Sequence, residues 1–289
     1  MKKLLKIIGI VALIVVLLIA ALLVKVVSDQ KKQAEDQKNM VKTDEELIGT
    51  HLYIPREGLD AVDVNLYLPE KGELLPLIVN LHGGAFIAGD ADTLDTQSDR
   101  ISKSWGAVVV TVNYKLMQGE ITKQYAVDEV KDTVKYFISH AEEYRVDPQK
   151  IFVLGYSAGG YHAMASVLQL HKEGITVRGQ ILCYAFLSDI LEQYDALTDE
   201  QKETIPPALF LLAGDEPIGK GSLDYQAALE AHGVHTEAKI YDGALHGFIE
   251  ENNPEYETLH NKSSKSPAQE VMARDAEDYI LHWVLAQLK

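Results

Sequence analysis

Ser157 stands at the centre of Gly155-Tyr156-Ser157-Ala158-Gly159, where the apolar run Ile151 to Leu154 gives way to small residues. The spacing G-x-S-x-G between a strand and a helix predicts a sharp turn. Glycine on either side lets neighbouring backbone pass close by, and the serine hydroxyl is left exposed above the free N–H groups of the helix start. A serine held in this way becomes a nucleophile when a base can take its proton. An ordinary glycine-rich turn with an incidental serine would show the same pattern, so the partners decide between the two.

A base is available in His246, which lies in Asp242-Gly243-Ala244-Leu245-His246-Gly247-Phe248, a loop of mostly small residues after the strand-like run Thr236 to Tyr241. A serine's histidine needs a buried carboxylate to hold its far nitrogen. Asp215 and Glu216, in the loop after the apolar run Ala208 to Ala213, compete for that part. Upstream, Pro76 to Leu81 runs directly into His82-Gly83-Gly84-Ala85-Phe86. Two successive glycines after a buried strand allow the backbone to turn its N–H groups toward a common point, as stabilising a developing oxyanion requires. The other histidines read blandly: His82 belongs to the glycine turn, His162 to the helix after the serine, and His232 and His235 lack a third metal ligand. No cofactor or metal is called for.

The elements that must position these groups follow from hydrophobic periodicity. Alternation in His51 to Arg56 and in Val62 to Leu68 predicts two antiparallel strands joined near Glu57-Gly58. Pro76 to Leu81, Gly106 to Asn113, Ile151 to Gly155, Arg178 to Tyr184 and Ala208 to Ala213 are short apolar runs suited to strands buried on both faces. Helical spacing predicts a covering helix over Ala126 to Tyr144, and a final one over Gln269 to Leu288 with Met272, Ala276, Tyr279, Ile280, Trp283 and Val284 as its buried stripe. Leu187 to Pro207 is a polar, partly helical insertion.

Taken together, HGGAF, VNYKL (Val112 to Leu116), VDPQKI (Val146 to Ile151) and GYSAGG resemble the α/β-hydrolase fold. Within it they are most similar to the esterase and lipase branch related to hormone-sensitive lipase and to small bacterial carbohydrate-ester esterases. The resemblance covers roughly residues 50 to 289. It implies a mostly parallel central sheet with helices on both faces, a serine carboxylic-ester hydrolase, and oxyanion donors at the backbone of Gly83, Gly84 and Ala158. It implies a triad of Ser157, an acid and His246, and selects Glu216, immediately before Pro217, over Asp215. It makes the insertion after Tyr184 a small cap in which Leu191 and Tyr194 contact the acyl group. One departure is Ala85, where this branch more often has a third glycine or a bulky aromatic. The same machinery would also serve an acyltransferase. A peptidase would need a larger cap or a propeller, and a non-catalytic binding protein would be expected to have lost one of these residues.

The 289-residue chain is 47% hydrophobic and 24% charged, an ordinary globular balance, and carries a formal net charge of −16. Residues 1–42 contribute +5 and the rest −21, which argues against nucleic acid as a partner. The expected substrate is a small ester, whether a lipid, an acylated carbohydrate or a small acyl ester. A single cysteine, Cys183, excludes an intramolecular disulfide and reads as a buried thiol. Lys2, Lys3 and Lys6 precede 18 uncharged residues, Ile7 to Val24, just long enough to span hydrocarbon at about 1.5 Å per residue. The expected organisation is a transmembrane signal anchor over 1–27, a polar tether over 28–46 and a catalytic domain over 47–289. The positive-inside bias puts the N-terminus in the cytoplasm and the catalytic domain outside the cell. The alternative is secretion after cleavage near Val26-Val27-Ser28. Gly214 to Lys220 fits the phosphate-loop spacing G-x-x-x-x-G-K, but Gly221 stands where a Ser or Thr is required and Pro217 removes a cradling N–H.

Overall fold

The computed structural model describes residues 41–187, 189–214, 216, 218–252 and 266–289. The apolar run expected to anchor the chain lies outside them. Among the described residues no helix is long and apolar enough to cross a membrane.

Two strands, β1 (Thr50–Arg56) and β2 (Leu59–Tyr67), form the expected hairpin. Next come β3 (Leu75–Leu81), a single 3-10 turn at Ala91–Leu94 and helix α1 (Asp95–Trp105). Then β4 (Val108–Val112), α2 (Lys123–Ser139), β5 (Val146–Tyr156) and α3 (Ala158–Lys172) carry the chain through the serine turn. The second half runs β6 (Gly179–Cys183), the short helices α4 (Ile190–Asp195) and α5 (Asp199–Glu203), β7 (Ala208–Ala213), α6 (Gly219–Glu230), β8 (Thr236–Tyr241), α7 (Phe248–Asn252) and α8 (Pro267–Gln287). These strands make an eight-stranded sheet in the order β1-β2-β4-β3-β5-β6-β7-β8. The pairs β1–β2 and β2–β4 are antiparallel and the remainder parallel.

The central strands read as unbroken apolar runs because both faces are covered. Their side chains still alternate: Leu77, Val79, Val108, Val110, Ile151 and Val153 enter a core with α2, α3 and α6, whereas Ile78, Val109, Phe152 and Leu154 enter a second core with α8. Helix α1 was not legible from periodicity, because the face it turns to the sheet is polar. Its buried Ser98 exchanges a 2.9 Å bond with Thr111 and accepts one from Asn80 Nδ2 at 3.1 Å, while Gln97 Nε2 donates to Tyr156 Oη at 2.6 Å. These buried hydrogen bonds take the place of apolar packing on that face and fix the helix in one register.

The helix expected over 126–144 ends at Ser139 instead. Arg145 takes a left-handed φ of 59° and Val146 N–H turns back to the Ala141 carbonyl at 2.8 Å, which aims the chain into β5. The Arg145 guanidinium holds that corner by donating to the Pro69 and Gly72 carbonyls at 2.7 and 3.3 Å. At the other end of the domain, Asp95 accepts from Lys42 Nζ at 3.0 Å, Gly49 N–H at 3.1 Å and Tyr67 Oη at 2.9 Å. The last residues of the expected tether are thereby fastened to α1.

Candidate active site

The serine turn is built by exclusion of side chains. A methyl group on Gly155 would lie 2.3 Å from the Gly159 carbonyl oxygen, and one on Gly159 would lie 2.3 Å from the Leu81 oxygen. Both positions therefore require glycine, and the close approach presses the start of α3 against the end of β3. Ser157 itself is forced to φ 51° and ψ −114°, a strained conformation for a residue with a side chain. Its N–H donates to the Cys183 carbonyl at 3.0 Å and its carbonyl accepts from Phe186 N–H at 3.1 Å, so β6 holds the strained turn from one side. Cys183 is a free thiol buried beneath it.

His246 reaches the serine from the loop after β8. Its Nε2 lies 2.8 Å from Ser157 Oγ and its Nδ1 lies 2.7 Å from Glu216 Oε2. One tautomer satisfies both contacts: Nδ1–H donates to the carboxylate and Nε2 accepts from the hydroxyl. Asp215, the competing acid, lies outside the described residues. Gln269, near the start of α8, fixes the histidine loop from beneath, donating to the Gly243 carbonyl at 2.7 Å and accepting from Leu245 N–H at 2.9 Å. The Tyr184 ring stands edge-on to the imidazole with centroids 5.1 Å apart.

The Gly83-Gly84 turn sits beside the serine because β3 and β5 are neighbours in the sheet. Gly84 adopts φ 126°, and Ala85 and Phe86 follow at 51° and 69°. Ala85, where the resemblance suggested a third glycine or a bulky aromatic, is thus an alanine held in left-handed backbone at a cost of about 1 kcal/mol. The loop closes on itself through Ile87 and Ala88 N–H to the Gly84 carbonyl, at 3.1 and 2.9 Å. Among the described residues, neither Gly83 nor Gly84 N–H is consumed by this turn, and Ala158 opens α3 with an N–H that has no intrahelical acceptor.

Behind the turn, His82 donates from Nδ1 to the Gly83 carbonyl at 2.6 Å, and its ring stacks on Tyr114 at 4.2 Å. Tyr114 Oη in turn donates to the His82 carbonyl at 2.7 Å. Burial lowers the His82 pKa to about 4. Burial, His82 and Lys123 lower that of His162 to about 3. Both are therefore neutral at pH 7. Because their folded values lie below the ordinary 6.5, the unfolded chain binds more protons in acid, and stability is lost as pH falls from about 6.5 toward the folded values. Urea unfolding between pH 7 and pH 4.5 is expected to show this loss, up to about 1.4 kcal/mol per pH unit for each histidine. His162→Asn should flatten the slope by one such contribution; an unchanged slope would mean that His162 ionises in the fold.

One further expectation is corrected. Tyr194 does not face an acyl group: it is 1% exposed and its hydroxyl donates to the Ala228 carbonyl at 3.0 Å, tying α4 to α6. Leu191 packs against the same core. Lys220, the lysine of the phosphate-loop pattern, opens α6 as an exposed side chain paired with Asp224. Among the described residues no group of three or more His, Cys, Asp or Glu is placed to hold a metal.

The family model for the alpha/beta hydrolase fold matches residues 78–204, which include both glycine turns and the serine. Acetyl esterases of Salmonella paratyphi A and Salmonella typhi are each 29% identical over 226 residues, covering 65% of this chain and 69% of theirs. Among solved structures, an esterase of Pyrobaculum calidifontis superposes with a TM-score of 0.71 at 25% identity, over 90% of this chain and 93% of its own. A thermostable carboxylesterase cloned from a metagenomic library gives the same TM-score at 22% identity, over 90% of this chain and 97% of its own. Sheet order, serine turn and matched span define an α/β-hydrolase. With the relatives it shares, the chain is a carboxylesterase-type hydrolase.

Proposed function

We propose that the chain hydrolyses carboxylic esters with short acyl groups, using Ser157 as nucleophile, His246 as base and then acid, and Glu216 as the carboxylate that orients the imidazole. The observation that carries the reading is the unbroken line from Glu216 through His246 to Ser157, with bonds of 2.7 and 2.8 Å. Ser157 Oγ attacks the acyl carbon as His246 Nε2 takes its proton, and the Gly83, Gly84 and Ala158 N–H groups receive the oxyanion. The imidazolium, balanced by Glu216, protonates the departing alcohol. Water repeats the sequence on the acyl-enzyme and releases the acid.

Acetyl is the acyl group favoured by the Salmonella relatives, which are acetyl esterases. The basic start and the 18-residue apolar run support an N-terminal membrane anchor with the catalytic domain outside the cell. Full-length protein assayed on p-nitrophenyl esters from acetate to palmitate is expected to prefer the two to four carbon acyl groups and to release free acid. No turnover at any chain length by folded protein would sink the proposal. Transfer of the acyl group to an added alcohol in preference to water would replace hydrolysis by acyl transfer. Digestion of a C-terminal epitope by protease added to intact cells tests the topology; a fully protected epitope contradicts it.

A further inference from the structure

The turn of helix that follows His246 places an acid against the serine turn. A side-chain position on Gly83 would lie 3.5 Å from Glu250 Oε1 and 3.5 Å from Ser157 Cβ, so carboxyl and nucleophile both border the space that a side chain on Gly83 would fill. Glu250 Oε2 is buried and has no hydrogen-bond partner among the described residues. A buried carboxyl oxygen with nothing to bond is costly, and a catalytic role is one reason for a fold to keep it.

The surroundings decide its protonation. Glu251 on its own helix, Tyr156 at the end of β5, Cys183 at the end of β6 and Glu277 on α8 are the titratable groups around it, with neutral His82 beside Gly83 and His246 one helical turn earlier. Glu277 is already engaged by Arg100. None of these supplies Glu250 with a positive charge when the imidazole is neutral. Burial and the neighbouring Glu251 push its pKa above the ordinary carboxylate value, which favours the protonated carboxyl.

We propose that Glu250 is a further catalytic residue of the ester hydrolysis, its carboxyl O–H donating a hydrogen bond to the acyl oxygen bound between Gly83 and Ser157. The inference rests on the esterase reading given above. The proton is shared with the developing oxyanion and stays on Glu250, so no atom is transferred. When the carboxyl ionises at high pH, the donor is lost and a negative charge takes its place beside the oxyanion. The acyl oxygen would then be repelled, and kcat/KM falls.

The test compares full-length wild type, Glu250→Gln and Glu250→Leu on p-nitrophenyl acetate from pH 5 to pH 10, with folding checked by circular dichroism. Glu250→Leu is expected to lose roughly tenfold to a hundredfold in kcat/KM, the range for removal of one oxyanion donor or somewhat below it. Glu250→Gln keeps an N–H donor and should retain about tenfold more than the leucine variant, while its alkaline limb disappears. A glutamine variant that keeps the wild-type alkaline limb, or is as slow as leucine, overturns the assignment. Difference infrared spectroscopy of wild type against Glu250→Gln gives a readout that needs no turnover. A protonated carboxyl band at pH 7 is expected, and its absence refutes the proposal. If the band is present but wild type shows no Ser157-dependent hydrolysis, the esterase reading fails and this role falls with it.

Discussion

Ser157→Ala is expected to lower kcat on p-nitrophenyl acetate by roughly 10⁴- to 10⁶-fold, with the circular dichroism spectrum and unfolding midpoint close to wild type. The size follows from the arrangement. On the proposed mechanism the hydroxyl at 2.8 Å from His246 Nε2 splits one difficult step into two, and no other described nucleophile stands at that imidazole. The fold should survive because the turn is held by backbone: Ser157 N–H bonds the Cys183 carbonyl and its own carbonyl accepts from Phe186. Alanine at φ 51° bears much the same strain as serine. Residual turnover would measure what the Gly83, Gly84 and Ala158 N–H groups achieve with water as nucleophile. Activity within tenfold of wild type would reject Ser157 as nucleophile.

The second large effect concerns the acid. Glu216→Gln is expected to reduce kcat by about 10³- to 10⁴-fold at pH 7, because an amide in place of the carboxylate leaves the imidazolium unbalanced and favours the wrong tautomer. Asp215→Asn, one residue away, should retain activity within a few fold. The prediction separates two residues that sequence alone leaves in competition, on the strength of the 2.7 Å contact between Glu216 Oε2 and His246 Nδ1. Steady-state rates of both variants decide it, and a reversal of the two effects would move the role to Asp215. A conservative Glu216→Asp shortens the side chain by one methylene and should fall between wild type and glutamine, through misplacement of the imidazole and not loss of charge.

Much of this site was legible from residue types because its parts are local. Gly155, Ser157 and Gly159 constrain one another within a single turn, and Gly83-Gly84 is fixed by its own backbone needs. The strands were legible from apolar runs, while α1 was not, since Gln97 and Ser98 make its inner face by hydrogen bonding. Tyr194 was misread because an aromatic in a polar insertion resembles a substrate contact, and only its bond to Ala228, 34 residues later, reveals it as packing. Tyr114, Gln269 and the proposed donor Glu250 were invisible for the same reason. Each acts on a loop distant in sequence, through the sheet and helices that bring it there.

The order of strands has a consequence for how the enzyme would fail. Ser157 and the Gly83-Gly84 turn hang from β5 and β3, the middle of the sheet, while Glu216 and His246 follow β7 and β8, at one margin. Local unfolding begins at margins, where fewer neighbours must be given up. Fraying of β8 would carry off the proposed base, His246, and leave the strained serine intact. A heat-stressed molecule would then be an inert one with its reactive turn still assembled, able to recover by re-pairing a single strand.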